Sequence, residues 1–315
     1  MPDYTATALA KEGLFPQALL PDLISQVTGK SAIASLCGAT PIPFNGTKEF
    51  LFNMDKDIAI VAESGKKPAS TMTLSPKTII PFKTVYQSRV TDEFMHCSEE
   101  LGISILQAFT EGYAKKLARG IDFIGFHGVD PYTGTKSTIV NSCFDDDITN
   151  EVIMGAVGDT PDINIEDAIA LIQAEYRDVT GIAMSAEFRR QLADMTLQSG
   201  ARVYPGLAWG AEQNTMNGLS VQVNSTVSAF PVTKAESGTN YVYTDHAIVG
   251  DFAGGFRWGY ALNPTFEIIQ YGDPDGSGYD LKAYNQVMLR SEMYIGLSII
   301  DPASFAIVKA KAAAT

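Results

Sequence analysis

The sequence is poor in cysteine and contains no long apolar run. Its three cysteines, Cys37, Cys97 and Cys143, include no CxxC pair, which argues against a disulfide framework and favours a reduced, cytosolic-type compartment. No apolar stretch approaches the roughly 20 residues of a membrane-spanning helix. The opening residues, MPDYTATALA, lack the basic and apolar regions of a secretory signal. We therefore expect a globular protein without a membrane partner.

Positive charge is scarce as well. The chain has 23 Lys+Arg against 36 Asp+Glu, a formal net charge of -13, and residues 141–200 contain twelve acidic residues against three arginines. Such a protein is not expected to grip nucleic acid by releasing counterions. The acidic excess serves solubility or, on a sharper interpretation, forms a surface that lies near a polyanion without binding it.

Sequence motifs of catalysis are missing. The chain has no HExxH, G-x-S-x-G, Walker or G-x-G-x-x-G pattern. His96 and Glu100 are four residues apart and could share a metal ion, but two ligands do not make a site, and a histidine without a special role is the better interpretation. Cys97 follows His96 directly, so the two side chains point about 100° apart on a helix and do not indicate a catalytic dyad.

Three further segments have a functional and a structural interpretation. DPDGSGYDLKAY, residues 273–284, begins like a calcium loop, but Tyr284 stands where such loops need a glutamate, and a turn between strands is favoured. Asp145 to Asp147 have no ligand partners nearby in sequence, which favours a solvated acidic loop. GDFAGGFRWG, residues 250–259, lacks a following helix, so a twisted strand is favoured over a phosphate loop.

Periodic patterns predict both strands and helices. KEFLFNM and TIIPFKTVYQSRV are strand-like, with Ile80, Phe82, Tyr86 and Val90 of the second on one face, and its prolines indicate an edge strand. Between them, IVAESGKKPASTMTL (residues 60–74) is a polar arm too long for a tight hairpin turn. We expect a hairpin with arms of about a dozen residues, which would reach roughly 40 Å.

Apolar residues recur at helical spacing from Leu106 to Ile124 and predict a helix of about 27 residues and roughly 40 Å. The predicted helix has an acid-rich start at residues 98–100 and a glycine-containing stop at FHGVDPYTG. A second helix is predicted over NIEDAIALIQAEYRDV with Tyr176 inward, then a strand GIAMS and a helix AEFRRQLADM capped by Ser185. TFEIIQY, YNQVMLRSEMYIGLSII and SFAIVKA read as closing strands. The outline is α+β.

These elements, in this order, resemble the major capsid proteins of tailed bacteriophages with the Hong Kong 97-like fold. IAIVAESGKKPASTMTLSPKTIIPFKTVYQSRVTDEFM looks like the extended-loop hairpin of that family, and EELGISILQAFTEGYAKKLARGIDFIGFHG is similar to its spine helix. GIAMSAEFRRQLADM with NGLSVQV resembles the axial domain, AIVGDF its later Gly-Asp-Phe strand, and QVMLRSEMYIGLSIIDPASFAIVK the closing strands. Each motif is weak alone, but together they span nearly the whole chain.

The resemblance implies a division of the chain. The expected segments are an N-terminal arm (1–44), an extended loop with flanking strands (45–90), a peripheral domain with the spine helix (91–140), an axial domain (141–262) and the return strands of the peripheral domain (263–315).

The resemblance also implies a function. The chain would be a non-enzymatic major capsid protein, without cofactor or metal, that assembles through hexamers and pentamers into an icosahedral head enclosing double-stranded DNA. In the extended loop, Glu63, Lys66, Lys67 and Pro68 are the expected subunit-interface residues. The two lysines either form charge pairs across a seam or are merely solvated. A lysine–asparagine cross-link, as in some members, would need an acceptor that the sequence does not identify.

The expected partners are copies of the chain itself, packaged DNA bound without sequence specificity, and scaffolding, portal and decoration proteins. The expected location is the virion, after assembly in the host cytoplasm. Two alternatives stay open: an encapsulin-type nanocompartment shell with enzyme cargo, which has the same fold, and a stand-alone soluble enzyme. Particles with tails and DNA, shells with protein cargo, or a lasting mass near 34 kDa would distinguish the three.

Overall fold

Three β-sheets and one long helix make up most of the computed structural model, which describes residues 27, 30–54, 56–93, 103–156, 158–210 and 215–314. The strands are β1 Thr47–Met54, β2 Met72–Ile79, β3 Phe82–Thr91, β4 Glu151–Met154, β5 Gly181–Met184, β6 Thr215–Met216, β7 Leu219–Val223, β8 Val232–Glu236, β9 Thr239–Gly250, β10 Phe256–Ile269, β11 Gln286–Ile299 and β12 Phe305–Ala313. The α-helices are α1 Ala32–Leu36, α2 Ile103–His127, α3 Phe144–Asp147, α4 Pro161–Gln173 and α5 Ala186–Asp194. Short 3-10 helices cover Pro205–Gly210, Ser225–Ser228 and Pro302–Ser304.

The long helix α2 confirms the predicted spine. Tyr113, Leu117, Ile121 and Ile124 are all buried in the largest apolar core of the described chain, as their spacing of three and four residues predicts. The helix ends where Gly128 adopts a left-handed φ of +64° and its N–H donates to the carbonyl of Ile124, a conformation that glycine adopts without strain. The acidic helix start predicted at residues 98–100 lies outside the described residues.

The helix packs beside a three-stranded antiparallel sheet of order β10-β11-β3. Among the described residues, strand β3 pairs only with β11 and is therefore an edge strand as expected. The two prolines on which that expectation rested lie outside β3, because Pro76 belongs to β2 and Pro81 precedes β3. Phe82, Tyr86 and Val90 pack against the core, but Ile80 is 58% exposed and does not share their face. The reason is that strand pairing stops at Ile80 and Pro81, which separate β2 from β3.

The loop between β10 and β11 contains the sequence that begins like a calcium-binding loop. Two of its carboxylates accept hydrogen bonds from Arg89 on β3. The guanidinium donates to Asp275 (Nε to Oδ2, 2.8 Å) and to Asp273 (Nη2 to Oδ1, 3.0 Å). It also donates to the backbone carbonyl of Tyr279. Arg89 thereby holds this turn against the edge of the sheet.

A seven-stranded mixed sheet forms the second half of the fold, with order β4-β12-β9-β5-β7-β6 and with β8 paired to β9. Ser185 caps α5 as predicted: its Oγ accepts the N–H of Phe188 at 3.1 Å. Helix α4 starts and ends earlier than its pattern predicts. Tyr176 was expected inward, but it follows the helix at a φ of +57° and is 96% exposed. That prediction was wrong because the helix stops before it reaches this position.

Two other expectations are corrected by the pairing and burial. Asp145 does not lie in a solvated loop: it belongs to the one-turn helix α3, and its side chain is only 6% exposed because it contacts His127. The segment 250–259 is not one twisted strand, since β9 ends at Gly250 and β10 starts at Phe256 in a different sheet. Strand β10 extends across residue 262, and β12 joins the seven-stranded sheet through β4 and β9.

The buried carboxylate of Asp122 ties the spine to two other segments. It accepts hydrogen bonds from the Ser31 hydroxyl (2.6 Å) and from the backbone N–H groups of Ala32 and Ile33 at the start of α1. Asn224 Nδ2 (3.0 Å) and Thr226 Oγ1 (2.9 Å) donate to the same carboxylate. Burial raises the pKa of Asp122, and the hydrogen bonds from Ser31, Ala32, Ile33 and Thr226 oppose that rise. This node fixes α1 and the turn after β7 against the C-terminal part of the long helix.

Candidate subunit interface

Strands β1 and β2 form a separate two-stranded antiparallel hairpin that belongs to neither large sheet. Its register runs from Thr47 opposite Ile79 to Met54 opposite Met72, so each arm has eight residues and extends about 26 Å. The paired arms are shorter than the dozen residues expected. An isolated two-stranded hairpin is only marginally stable in water. The hairpin therefore needs stabilising contacts from outside its two strands.

The base of the hairpin is fixed to the body of the chain. Ile79 is 1% exposed and lies in a small apolar cluster with Ile42 and Ile300. Gly46, which precedes β1, has a φ of +82°, and a Cβ there would come within 2.7 Å of the Ile79 carbonyl oxygen. Only glycine allows this close approach. One end of the hairpin is therefore anchored, and the other projects.

The connection between the arms contains all four residues predicted for the interface. Glu63, Lys66, Lys67 and Pro68 are exposed, as are all described residues from 56 to 74. A turn with Ser64 at φ 65° and a hydrogen bond from the N–H of Gly65 to Ala62 forms the tip. Within the described residues, no acidic group forms an ion pair with either lysine, so the structure does not bring these four residues into a site.

The two faces of the hairpin differ in chemistry. Because residues opposite each other in an antiparallel pair point to the same side, the register places Phe50, Phe52 and Met54 on one face together with Met72 and Leu74. These five residues, the apolar hairpin face, are 49% to 70% exposed. The opposite face contains the polar residues Thr47, Glu49, Thr73, Ser75 and Lys77, together with Leu51 and, at the anchored base, Ile79.

The apolar hairpin face is the feature that sequence analysis missed, because the segment was treated as a polar arm. The signal was present: Phe50, Phe52 and Met54 recur at every second position in KEFLFNM, and Met72 and Leu74 do so in MTLSP, which indicates a strand with one face covered. Contiguous exposed apolar side chains of this kind mark sites of protein association. The hairpin can therefore contact another chain with one face and water with the other.

The two described cysteines lack the chemistry of a catalytic nucleophile. Cys37 and Cys143 are free and buried, and burial raises the pKa of their thiols to about 11 and about 12, respectively, so neither is a thiolate at neutral pH. His96, Cys97 and Glu100 lie outside the described residues. None of the described helices has the length and apolar character needed to cross a membrane.

Comparison with known proteins agrees with this geometry. The sequence matches the model of the phage capsid family over residues 12–310. The chain belongs to the phage capsid family. It is thus a structural capsid protein and not an enzyme, and its α+β fold is of the Hong Kong 97-like type, as the sequence resemblance implied. A search of curated proteins finds no match.

Solved structures similar to this capsid protein come from several particles. A chain of Mycobacterium phage Ogopogo has 31% identity and a TM-score of 0.74, with 89% of this chain and 92% of that chain covered. A chain of Gordonia phage Cozz has 23% identity and a TM-score of 0.69, with coverages of 90% and 87%. The capsid of a native GTA particle, computed with C5 symmetry, has 13% identity, a TM-score of 0.62 and coverages of 89% and 90%. The latter two show likeness of fold, and none of the three favours the encapsulin alternative.

Proposed function

We propose that this capsid protein assembles through hexamers and pentamers into the icosahedral head of a tailed phage, around double-stranded DNA. The observation that carries the proposal is the apolar hairpin face. A capsid shell needs heterologous contacts that close rings of identical subunits, and a projecting hairpin with one apolar face reaches beyond its own core. Each subunit lays this face on its neighbour.

The apolar hairpin face supplies most of the free energy of this contact. Full burial of a large apolar side chain is worth about 1.5–3 kcal/mol, so five side chains that are half to two-thirds exposed contribute on the order of 5 kcal/mol. Glu63, Lys66, Lys67 and Pro68 extend the contact at the tip. Charge pairs of the two lysines with a neighbour add at most about 1 kcal/mol each, because such pairs are exposed.

The division into domains follows the sheets. We assign the three-stranded sheet and α2 to the peripheral domain, with residues 45–79 as the extended loop. The seven-stranded sheet, with α4 and α5, is the axial domain. The pairing of β12 with β9 and β4 supports placing the C-terminal strand in the axial domain, and residues 263–299 then return through the peripheral domain.

Charge supports enclosure of DNA without tight binding. The formal net charge of -13 opposes adhesion to phosphate backbones. The proposed further partners are scaffolding, portal and decoration proteins. Assembly in the host cytoplasm is supported by the two free, buried cysteines, because a reduced compartment keeps thiols in that state.

A pair of substitutions on opposite faces of the hairpin tests the proposal. Phe52→Glu places a charge on the apolar hairpin face, where Phe52 is 61% exposed in the single chain. The subunit is expected to fold with an unchanged melting temperature, yet electron microscopy should show few or no closed particles. Ser75→Glu, the matched control on the polar face, should assemble like the wild type. Normal particles from Phe52→Glu, or equal failure of both variants, would contradict the assigned contact face.

A further inference from the structure

A buried group of ligand-type side chains lies where the spine meets the seven-stranded sheet. His127 is the last residue of α2, Asp145 lies in α3, and Asp245 lies on β9. Their side chains are 1%, 6% and 6% exposed, respectively. One nitrogen of the imidazole and one oxygen of each carboxylate all lie within 4.8 Å of one another. The apolar hairpin face plays no part in this arrangement.

The contacts of His127 determine which of its nitrogens carries a proton. Nε2 lies 2.9 Å from the backbone carbonyl oxygen of Thr226, which can only accept a hydrogen bond, so Nε2 donates. In the neutral imidazole, Nδ1 then presents a lone pair. This lone pair faces Asp145 Oδ2 at 2.8 Å and Asp245 Oδ2 at 3.9 Å. Three electron-rich atoms therefore converge, and a proton or a metal ion between them would offset their repulsion.

A proton on Nδ1 would satisfy only part of this group. It would bond to Asp145 Oδ2, but Asp145 Oδ1 and Asp245 Oδ2 are buried without a hydrogen-bond partner among the described residues. Buried carboxylate oxygens without partners are rare, because each costs its full desolvation free energy. A metal ion, in contrast, accepts electron pairs from several donors at once and would engage these unpartnered oxygens together with Nδ1.

The surrounding charges leave this side of Asp245 uncompensated. Lys309, which is 2% exposed, lies 3.9 Å from the other oxygen of Asp245, Oδ1, and donates to Glu151 Oε1 at 2.9 Å. Lys234 also pairs with Glu151. Neither lysine is paired with Asp245 Oδ2, which is the oxygen that lies 3.9 Å from His127 Nδ1 and has no hydrogen-bond partner among the described residues.

We propose that His127 Nδ1, Asp145 and Asp245 Oδ2 bind a divalent cation of the zinc type. Zinc takes imidazole nitrogen and carboxylate oxygen at about 2.0–2.2 Å, and the presence of an imidazole favours it over magnesium and calcium, which prefer oxygen alone. The contact of Nε2 with Thr226 is the outer hydrogen bond that orients metal-binding histidines. The ion joins the C-terminal end of α2 to β9 and so fixes the spine against the seven-stranded sheet.

Zinc binding by the full-length chain, purified without an affinity tag, tests the proposal. Because the site is buried, the chain is unfolded in chelator, refolded with and without zinc, freed of loose metal and analysed for zinc by elemental mass spectrometry. We expect one zinc per chain and a higher melting temperature of the zinc-loaded form. Cobalt(II) in place of zinc should give the visible absorption of a low-symmetry nitrogen and oxygen site.

Matched carboxamide variants locate the ion. Asp245→Asn and Asp145→Asn each preserve volume but remove a ligand charge, and each should reduce zinc affinity at least tenfold and abolish the cobalt absorption. Asp146→Asn is the control, since Asp146 is in the same turn but is 56% exposed and pairs with Lys136; its zinc content should equal that of the wild type. Circular dichroism checks that each variant is folded. A folded wild type without zinc, or equal zinc in Asp245→Asn and wild type, would overturn the site.

Discussion

At the scale of single residues, Asp122 shows how one buried carboxylate can unite distant segments. Asp122→Asn replaces one accepting oxygen by an NH2 group that faces the donors of α1, so at least one hydrogen bond becomes a donor–donor contact. We expect a loss of about 2–4 kcal/mol in the free energy of unfolding, measured by urea denaturation of unassembled subunits. Asp130→Asn is the control, because Asp130 caps an exposed turn through Tyr132 and Thr133. A loss below about 0.5 kcal/mol in Asp122→Asn would contradict the role of the node.

The ion pair of Glu151 with Lys309 leads to a prediction about pH. Burial alone would raise the pKa of Glu151, but the ammonium groups of Lys309 and Lys234 hold it below its ordinary value of 4.5. A carboxyl with a lowered folded-state pKa stabilises the fold above its unfolded pKa, and this contribution disappears as pH falls through the folded pKa. Glu151→Gln should therefore cost about 2 kcal/mol near neutral pH, because it leaves Lys309 buried without its closest partner.

The same variant should approach the wild type in acid. Below the folded pKa both chains carry a neutral side chain at position 151, so the difference in melting temperature should shrink as pH falls below 4.5. Glu187→Gln is the control, because its pair with Arg190 is more than half exposed and contributes little. A difference between Glu151→Gln and wild type that stays constant over this range would refute the assigned coupling.

Sequence patterns predicted buried positions well where one helix face repeats, and poorly where a single contact decides burial. Tyr113 and Ile121 follow the repeat of a long helix and are buried. Asp145 is buried because His127, eighteen positions away, supplies a partner. His127, Asp145 and Asp245 belong to three different elements, so no short spacing motif connects them and only the fold brings them together.

At the scale of elements, the loop at the hairpin tip provides a test that leaves the core untouched. Deletion of residues 65–70 removes an exposed segment with two of the expected interface lysines, and exposed loop tips tolerate shortening. We expect a subunit with an unchanged melting temperature, because this segment makes no core contact. Assembly should fall, measured as the fraction of protein that sediments as closed particles.

A matched control distinguishes loss of the tip from shortening in general. The exposed turn at residues 273–278 is not suitable, because Arg89 binds its carboxylates. Replacing residues 65–70 by six glycine and serine residues keeps the length but removes the side chains, including Lys66 and Lys67. If the glycine–serine variant assembles only partially, the side chains of the loop make a contact. If the deletion variant gives the wild-type yield of closed particles, the tip makes no contact.

The ends of helices were predicted best where a capping residue or a glycine terminates the periodic pattern of apolar residues. Ser185 starts α5 and Gly128 ends α2 where expected. The hairpin arms were predicted too long, because exposed polar residues continue beyond the last paired residues, Met54 and Met72, and strand pairing leaves no mark in such a sequence. Its apolar face was missed for a different reason: the segment was interpreted as a polar arm, although apolar residues recur at every second position in both of its strands.

At the scale of the whole molecule, sheet membership is what sequence patterns could not supply. Strand β12 follows β11 directly along the chain, yet it pairs with β9 and β4 in the other sheet. Periodicity shows which residues of a strand are buried but not which strand lies beside it. The order of motifs along the chain did identify the fold class, since the resemblance drew on the entire chain and not on any one pairing.

The charge and the apolar contacts of the whole subunit together predict how assembly responds to salt and temperature. Each chain carries a formal net charge of -13, so neighbouring subunits repel one another, and salt screens this repulsion over a Debye length that falls from about 10 Å at 0.1 M to about 3 Å at 1 M. Apolar burial, which opposes the repulsion, weakens on cooling. We therefore expect the assembled fraction, measured by light scattering at fixed protein concentration, to rise with added sodium chloride and to fall on cooling. Phe52→Glu should remain unassembled across the salt range, because screening does not restore the lost apolar contact. Assembly that weakens with salt in the wild type would mean that charge pairs, and not the apolar hairpin face, hold the shell together.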